Sequence, residues 1–84
     1  MTPFQVIWSS EALRQLAFSW NAATNRIDIT RAQHRIDRAL ASDPKSAGRE
    51  LSEGLWKIKD ASLIAFFENN DTHKILRVTD VAIQ

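Results

Sequence analysis

The chain reads as an α+β domain of order β-α-α-β-β-β, with a helical hairpin packed on one face of a small antiparallel-rich sheet. Three observations lead there. Phe4, Val6 and Trp8 alternate with Gln5 and Ile7, the two-residue period of a strand. Two stretches at helical spacing follow, Leu13, Leu16, Ala17 and Trp20, then Ile29, Ala32, Ile36, Ala39 and Leu40. From Glu53 to Val81 the chain breaks into three β-rich runs separated by turn-forming residues.

Each element has a local cause. The strand covers residues 3–8. Ser9 or Ser10 caps the first helix by accepting hydrogen bonds from its free N–H groups. Polar residues between Asn21 and Arg26 end it. Asp28 or Thr30 caps a second helix that runs to Ser42, where Asp43-Pro44 stops it, because a residue before proline is pushed out of the helical region. So short a connection packs the two helices as a hairpin. Residues 45–54 read as a loop with a brief strand near Arg49–Leu51. The runs Leu55–Lys59, Leu63–Glu68 and Lys74–Val81 then form a meander, turning at Asp60-Ala61-Ser62 and at Asn69-Asn70-Asp71-Thr72.

Composition bounds the rest. The 84 residues are expected to form one domain, 1–84, with a single thin core. Without cysteine there is no disulfide framework and no thiolate metal site, and two distant histidines make no metal centre. No cofactor motif is present. The opening residues carry no secretory pattern and no apolar run spans a bilayer, so a cytoplasmic protein that does not enter membranes is expected. A net charge of +1 argues against a dedicated high-affinity nucleic-acid binder, so the placement of charge carries more information than its sum.

Strand alternation supplies that placement. A helical hairpin covers one face of the sheet and leaves the other to water or a partner. Trp56 and Ile58 share a side with Leu76 and Val78, assigned to the core. Lys57 and Lys59, with Ile75, Arg77 and Thr79, take the open side. The apolar run Leu63–Phe67 has hydrophobic residues on both sides, so its outer side chains are either shielded by neighbours or belong to a partner surface. Trp8, Trp20 and Trp56 are expected as core anchors. Phe18 sits about 140° around the first helix from Leu13, away from its apolar face. Arg31, Arg35 and Arg38, beside His34, form a basic stripe opposite the buried face of the second helix, a pattern that more often pairs with nearby acids than grips phosphate.

The order of these pieces resembles the RelE/ParE superfamily of toxins from type II toxin–antitoxin pairs. The resemblance rests on the opening strand with Trp8, the Glu11-Ala-Leu helix start, and Arg35-Ile-Asp-x-x-Leu40 before Asp43-Pro44. It continues through Glu53-Gly-Leu-Trp-Lys-Ile, the apolar strand around Ile64–Phe67, and Ile75-Leu-Arg-Val78. It implies a toxin that stops growth and is neutralised by a cognate antitoxin. One branch cleaves mRNA on the ribosome with basic residues and, in some members, a C-terminal aromatic hydroxyl. The other acts on DNA gyrase. Lys57 and Lys59 look like the lysine pair of the RNA-cleaving branch, whereas Ile75-Leu-Arg77-Val is closer to the gyrase branch. The chain departs from the RNA-cleaving pattern in having no tyrosine, and in carrying Leu63-Ile64 where an arginine is common. A toxin fold serving only as a protein-binding module is the reading from another class.

The chemistry follows from the residues. Cleavage by 2′-hydroxyl attack needs a proton acceptor, a proton donor and cations for the developing phosphorane charge. Lys57, Lys59 and Arg77 are the candidate catalytic cations. His73 and Glu68, flanking the last turn, are the candidate acid/base groups. Phe18, Arg31, Arg35 and Arg38 are the candidate antitoxin contacts, and the same open face would meet ribosome-bound mRNA.

Overall fold

β1 (Gln5–Trp8) lies parallel to β5 (Ile75–Ile83) at one side of a five-stranded sheet ordered β1-β5-β4-β3-β2, in a computed structural model that describes residues 4–22, 24, 26–70 and 72–83. The remaining strands, β2 (Arg49–Ser52), β3 (Leu55–Asp60) and β4 (Leu63–Asn70), join β5 in antiparallel pairs. Between β1 and β2 run helix α1 (Ser10–Ala22), helix α2 (Arg26–Ser42) and a single turn, α3 (Pro44–Ala47). The architecture is the expected α+β one, a helical hairpin on a mixed sheet, and the brief strand expected near Arg49 is β2.

One core holds the layers together. Ile29, Ala32, Ile36 and Leu40 of α2 pack with Ile58, Leu63, Ala65, Phe67, Leu76, Val78 and Val81 from the sheet. Trp56 stacks on Phe67 with ring centres 6.3 Å apart. The Trp8 indole N–H donates to Asp37 Oδ1 at 2.8 Å, and Phe4 N–H donates to the Ala41 carbonyl at 2.8 Å, so β1 is tied to α2 by polar as well as apolar contacts. Gly48 lets the chain pass close over Phe67: a Cβ there would stand 2.7 Å from Phe67 Cζ.

Several local expectations are narrowed or corrected. Position 3 lies outside the described residues, and β1 begins at Gln5. Ser9 caps α1 through Ala12 N–H, which donates to its Oγ at 3.0 Å. α2 starts at Arg26, so Asp28 and Thr30 lie inside it. Asp28 occupies the first turn, where a negative charge suits the helix dipole. The Thr30 hydroxyl turns back to the Arg26 carbonyl at 3.2 Å. Pro44, expected only as a stop, also opens α3, because its fixed φ and missing N–H suit a first helical position. Asn69 and Asn70 extend β4 rather than turning, and the turn moves on to residues 72–74.

Two corrections change which side chains face outward. Of the apolar stripe of α1 only Leu16 is buried, joined by Ala12 from outside the stripe, while Ala17 is exposed, Leu13 is 47% exposed and Trp20 is 39% exposed. Trp20 is therefore no core anchor. Its indole N–H donates to Thr30 Oγ1 at 3.2 Å, and Arg26 lies 4.7 Å above its ring. The cause is where α1 docks. β1 ends at Trp8, and α1 lies beside the part of β5 that β1 leaves unpaired, so the small Ala12 and the polar Gln15 face that backbone. The second correction is a β-bulge. Phe66 pairs with Asp80 and Phe67 with Val78, leaving Thr79 as the extra residue, its hydroxyl donating to the Phe66 carbonyl at 3.4 Å. The bulge resets the alternation, so Val78 and Val81 both point into the core and Asp80 takes the open-face place assigned to Thr79.

Candidate functional site

The side of the sheet away from α2 carries none of the fully buried residues, and cross-strand register sets its pattern. Residues opposite each other share a face. One row runs Arg49, Lys57, Phe66, Asp80 from β2 to β5. The next runs Leu55, Glu68, Arg77, Ile7 from β3 to β1. A third holds Lys59, Ile64 and Ala82.

Lys57, Lys59 and Arg77 do share the open face. They are not adjacent: Lys57 and Arg77 are two strands and two residues apart, about 12 Å between backbones at standard sheet spacings. Phe66 and Glu68 stand between them on β4. Lys57 is half-buried, while Lys59, Arg77 and Glu68 are exposed. Their side chains are long enough to converge over a ligand lying across β4.

Glu68 faces Arg77 directly across the strands. Both line an open groove of about 820 Å³ with Glu53, Leu55, Thr72 and Ile75. This brings one acid/base candidate to a cation. The other, His73, is exposed in the turn between β4 and β5 and does not line that groove.

The basic stripe on α2 divides. Arg35 grips Asp60 at the end of β3 with three hydrogen bonds of 2.6 to 3.0 Å. Those bonds hold the Asp60 carboxyl below its ordinary value and raise the guanidinium, with burial opposing both shifts. Arg35 is thus committed to pinning α2 on the sheet, as a helix-face cation beside an acid ordinarily is. Arg31, His34 and Arg38 are exposed. Phe18 is 77% exposed, beside a shallow groove lined by Glu11, Arg14, Gln15, Ser19 and Val81.

Sequence reasoning missed two members of the open face, Arg49 and Phe66. Arg49 was visible as a cation but not as a neighbour of Lys57, since that depends on the β2–β3 register. Phe66 was legible as an outward residue of an apolar strand, but its place opposite Lys57 was not. Among the described residues no cluster of His, Asp and Glu could hold a metal ion, and no helix is long and apolar enough to cross a membrane.

Comparison with known proteins places the architecture. No protein-family model matches the chain, and no curated protein does. Among solved structures, a chain in the crystal structure of the toxin–antitoxin complex RelBE2 from Mycobacterium tuberculosis superimposes with a TM-score of 0.82 at 18% identity. The match covers 100% of this chain and 94% of that one. At that identity the likeness is one of fold, and the fold is that of RelE-type toxins.

Proposed function

We propose that this chain, which has the fold of RelE-type toxins, is the toxin of a toxin–antitoxin pair. It stops growth by cleaving mRNA on the ribosome through its open sheet face, and is held inactive by a cognate antitoxin in the cytoplasm. The observation that carries this reading is the set of cations, Lys57, Lys59, Arg77 and Arg49, on the face that the helices leave uncovered.

The chemistry is assigned to residues of that face. Glu68 accepts the 2′-hydroxyl proton. Arg77, directly opposite, and Lys57 bind the non-bridging phosphate oxygens as negative charge builds in the phosphorane. A lysine ammonium returns a proton to the departing 5′-oxygen. A carboxylate and an ammonium together replace the aromatic hydroxyl this chain lacks. The antitoxin contacts Phe18 and the exposed arginines Arg31 and Arg38 of α2, with Arg35 held at their edge by Asp60.

The test is growth after tightly controlled expression of the chain alone, beside the Lys57→Ala/Lys59→Ala/Arg77→Ala variant at equal soluble yield. Arrest by the parent only, with cleaved transcripts mapped at ribosome-bound positions, is the expected result. Arrest with intact transcripts and DNA damage assigns gyrase as the target. Normal growth with the parent, in its native host as well, leaves a toxin fold that only binds protein.

A further inference from the structure

We infer that Phe66 is a stacking platform for an unpaired base of single-stranded RNA, with Arg49, Lys57 and Lys59 holding the flanking phosphates; this rests on the RNA reading above. The two adjacent phenylalanines of β4 have opposite environments. Phe67 is fully buried and stacked on Trp56, whereas Phe66 is half-buried on the uncovered face. No aromatic ring of the described residues stacks on Phe66. An aromatic ring left at the centre of a solvent-facing sheet gains its full burial only when something lies on it.

The charge around Phe66 selects the occupant. Lys57 is its direct cross-strand neighbour, Arg49 is the next residue in that row, and Lys59 is two residues along β3. Lys57 and Lys59 are about 6.7 Å apart along the strand, close to the separation of successive phosphates in an extended single strand. On the other side of Phe66 stands Asp80, an unwelcome charge for an RNA backbone. Its carboxylate accepts a hydrogen bond from Gln15 Nε2 at 3.1 Å, which ties it to α1. Cations therefore lie along one flank of the ring; of the two acids near it, Asp80 is engaged by Gln15, and Glu68, two residues along β4, faces Arg77. Stacking needs a free base face, which a duplex does not offer, so the substrate class is single-stranded.

The test is fluorescence anisotropy with two labelled probes at fixed salt, a short oligoadenylate and an abasic ribose-phosphate strand of the same length. Phe66→Leu is expected to weaken oligoadenylate binding by about fivefold to a hundredfold and to leave the abasic strand unchanged. Phe66→Trp is expected to keep affinity, with its indole emission quenched by the bound base; it also decides the matter if the leucine variant does not fold. Lys57→Ala/Lys59→Ala is expected to weaken both probes. Equal oligoadenylate binding by the parent and a folded Phe66→Leu, with loss in the lysine variant, overturns the stacking role and leaves the RNA reading standing. Failure of the folded parent to bind either probe overturns the stacking inference, while the growth and transcript test above decides the RNA reading separately. Binding of an acidic amphipathic peptide in place of RNA, lost in Phe66→Leu, assigns the face to a protein partner and overturns the inference.

Discussion

Gln15 of α1 closes the backbone of β5 at Val81: its Oε1 accepts the Val81 N–H at 2.6 Å, while its Nε2 reaches Asp80 Oδ1 at 3.1 Å. The contact comes where β1 has ended and β5 lacks a neighbouring strand on the side away from β4. A side-chain amide thus does there what a strand does elsewhere in the sheet. Gln15→Leu removes the acceptor and leaves a part-buried N–H unpaired, which costs about 1–3 kcal/mol. Urea unfolding of the two proteins checks this, and an unchanged midpoint would show that water replaces the amide without loss.

The Arg35–Asp60 pair predicts an acid dependence. The folded carboxyl of Asp60 sits below its ordinary value of 3.8, chiefly because Arg35 hydrogen-bonds to it. A lowered folded value means that the pair stabilises the protein above pH 3.8 and that this contribution is lost as pH falls through the folded value. Asp60→Asn is therefore expected to be less stable than the parent at neutral pH, the difference closing in strong acid. Denaturation midpoints for both proteins across that range measure it.

Two glycine substitutions should act in opposite directions. Gly48→Ala drives a Cβ to 2.7 Å from Phe67 Cζ and 3.1 Å from the Pro44 carbonyl, so it should destabilise by about 1–3 kcal/mol. Ala61 holds φ +54 in the β3–β4 turn, a left-handed conformation that glycine adopts without steric cost. Ala61→Gly is expected to gain up to about 1 kcal/mol. Thermal melts of both variants, run side by side, decide the signs.

Phe18 separates folding from partner binding. At 77% exposure it contributes little to the core, so Phe18→Ala should leave stability within about 0.5 kcal/mol. If the antitoxin covers α1, the same change should weaken the complex by about tenfold or more. Calorimetric titration with the proposed antitoxin reads both the affinity and the stoichiometry. Unaltered affinity would move the antitoxin contact elsewhere.

The elements of the fold were legible because their signals are local. Period-two alternation marked Phe4–Trp8, helical spacing marked Ile29–Leu40, and Asp43-Pro44 marked the end of α2. The open-face cations were legible for the same reason, since Lys57 and Lys59 alternate with Trp56 and Ile58. The buried side of α1 was not. Hydropathy points to Leu13, Leu16, Ala17 and Trp20, of which only Leu16 is buried; the helix meets a bare strand edge that a polar amide satisfies better than an apolar side chain, so Ala12 and Gln15 face inward beside Leu16. The phase of β5 after Val78 was equally hidden, because the bulge at Thr79 exists only against Phe66 and Phe67.

By itself, then, the sequence determined the order of the strands and of the two long helices, the α2 stripe that forms the core, and the side of β3 on which the lysines lie. Backbone propensity and side-chain periodicity act within a few residues, so they are written along the chain. Tertiary structure alone decided that Glu68 opposes Arg77, that Phe66 lies between Lys57 and Asp80, and that Arg35 is engaged by Asp60. Each is a meeting of residues from different strands or layers. Strand register and helix docking set such meetings, because burying the core and pairing the backbone must both be satisfied across the whole sheet at once.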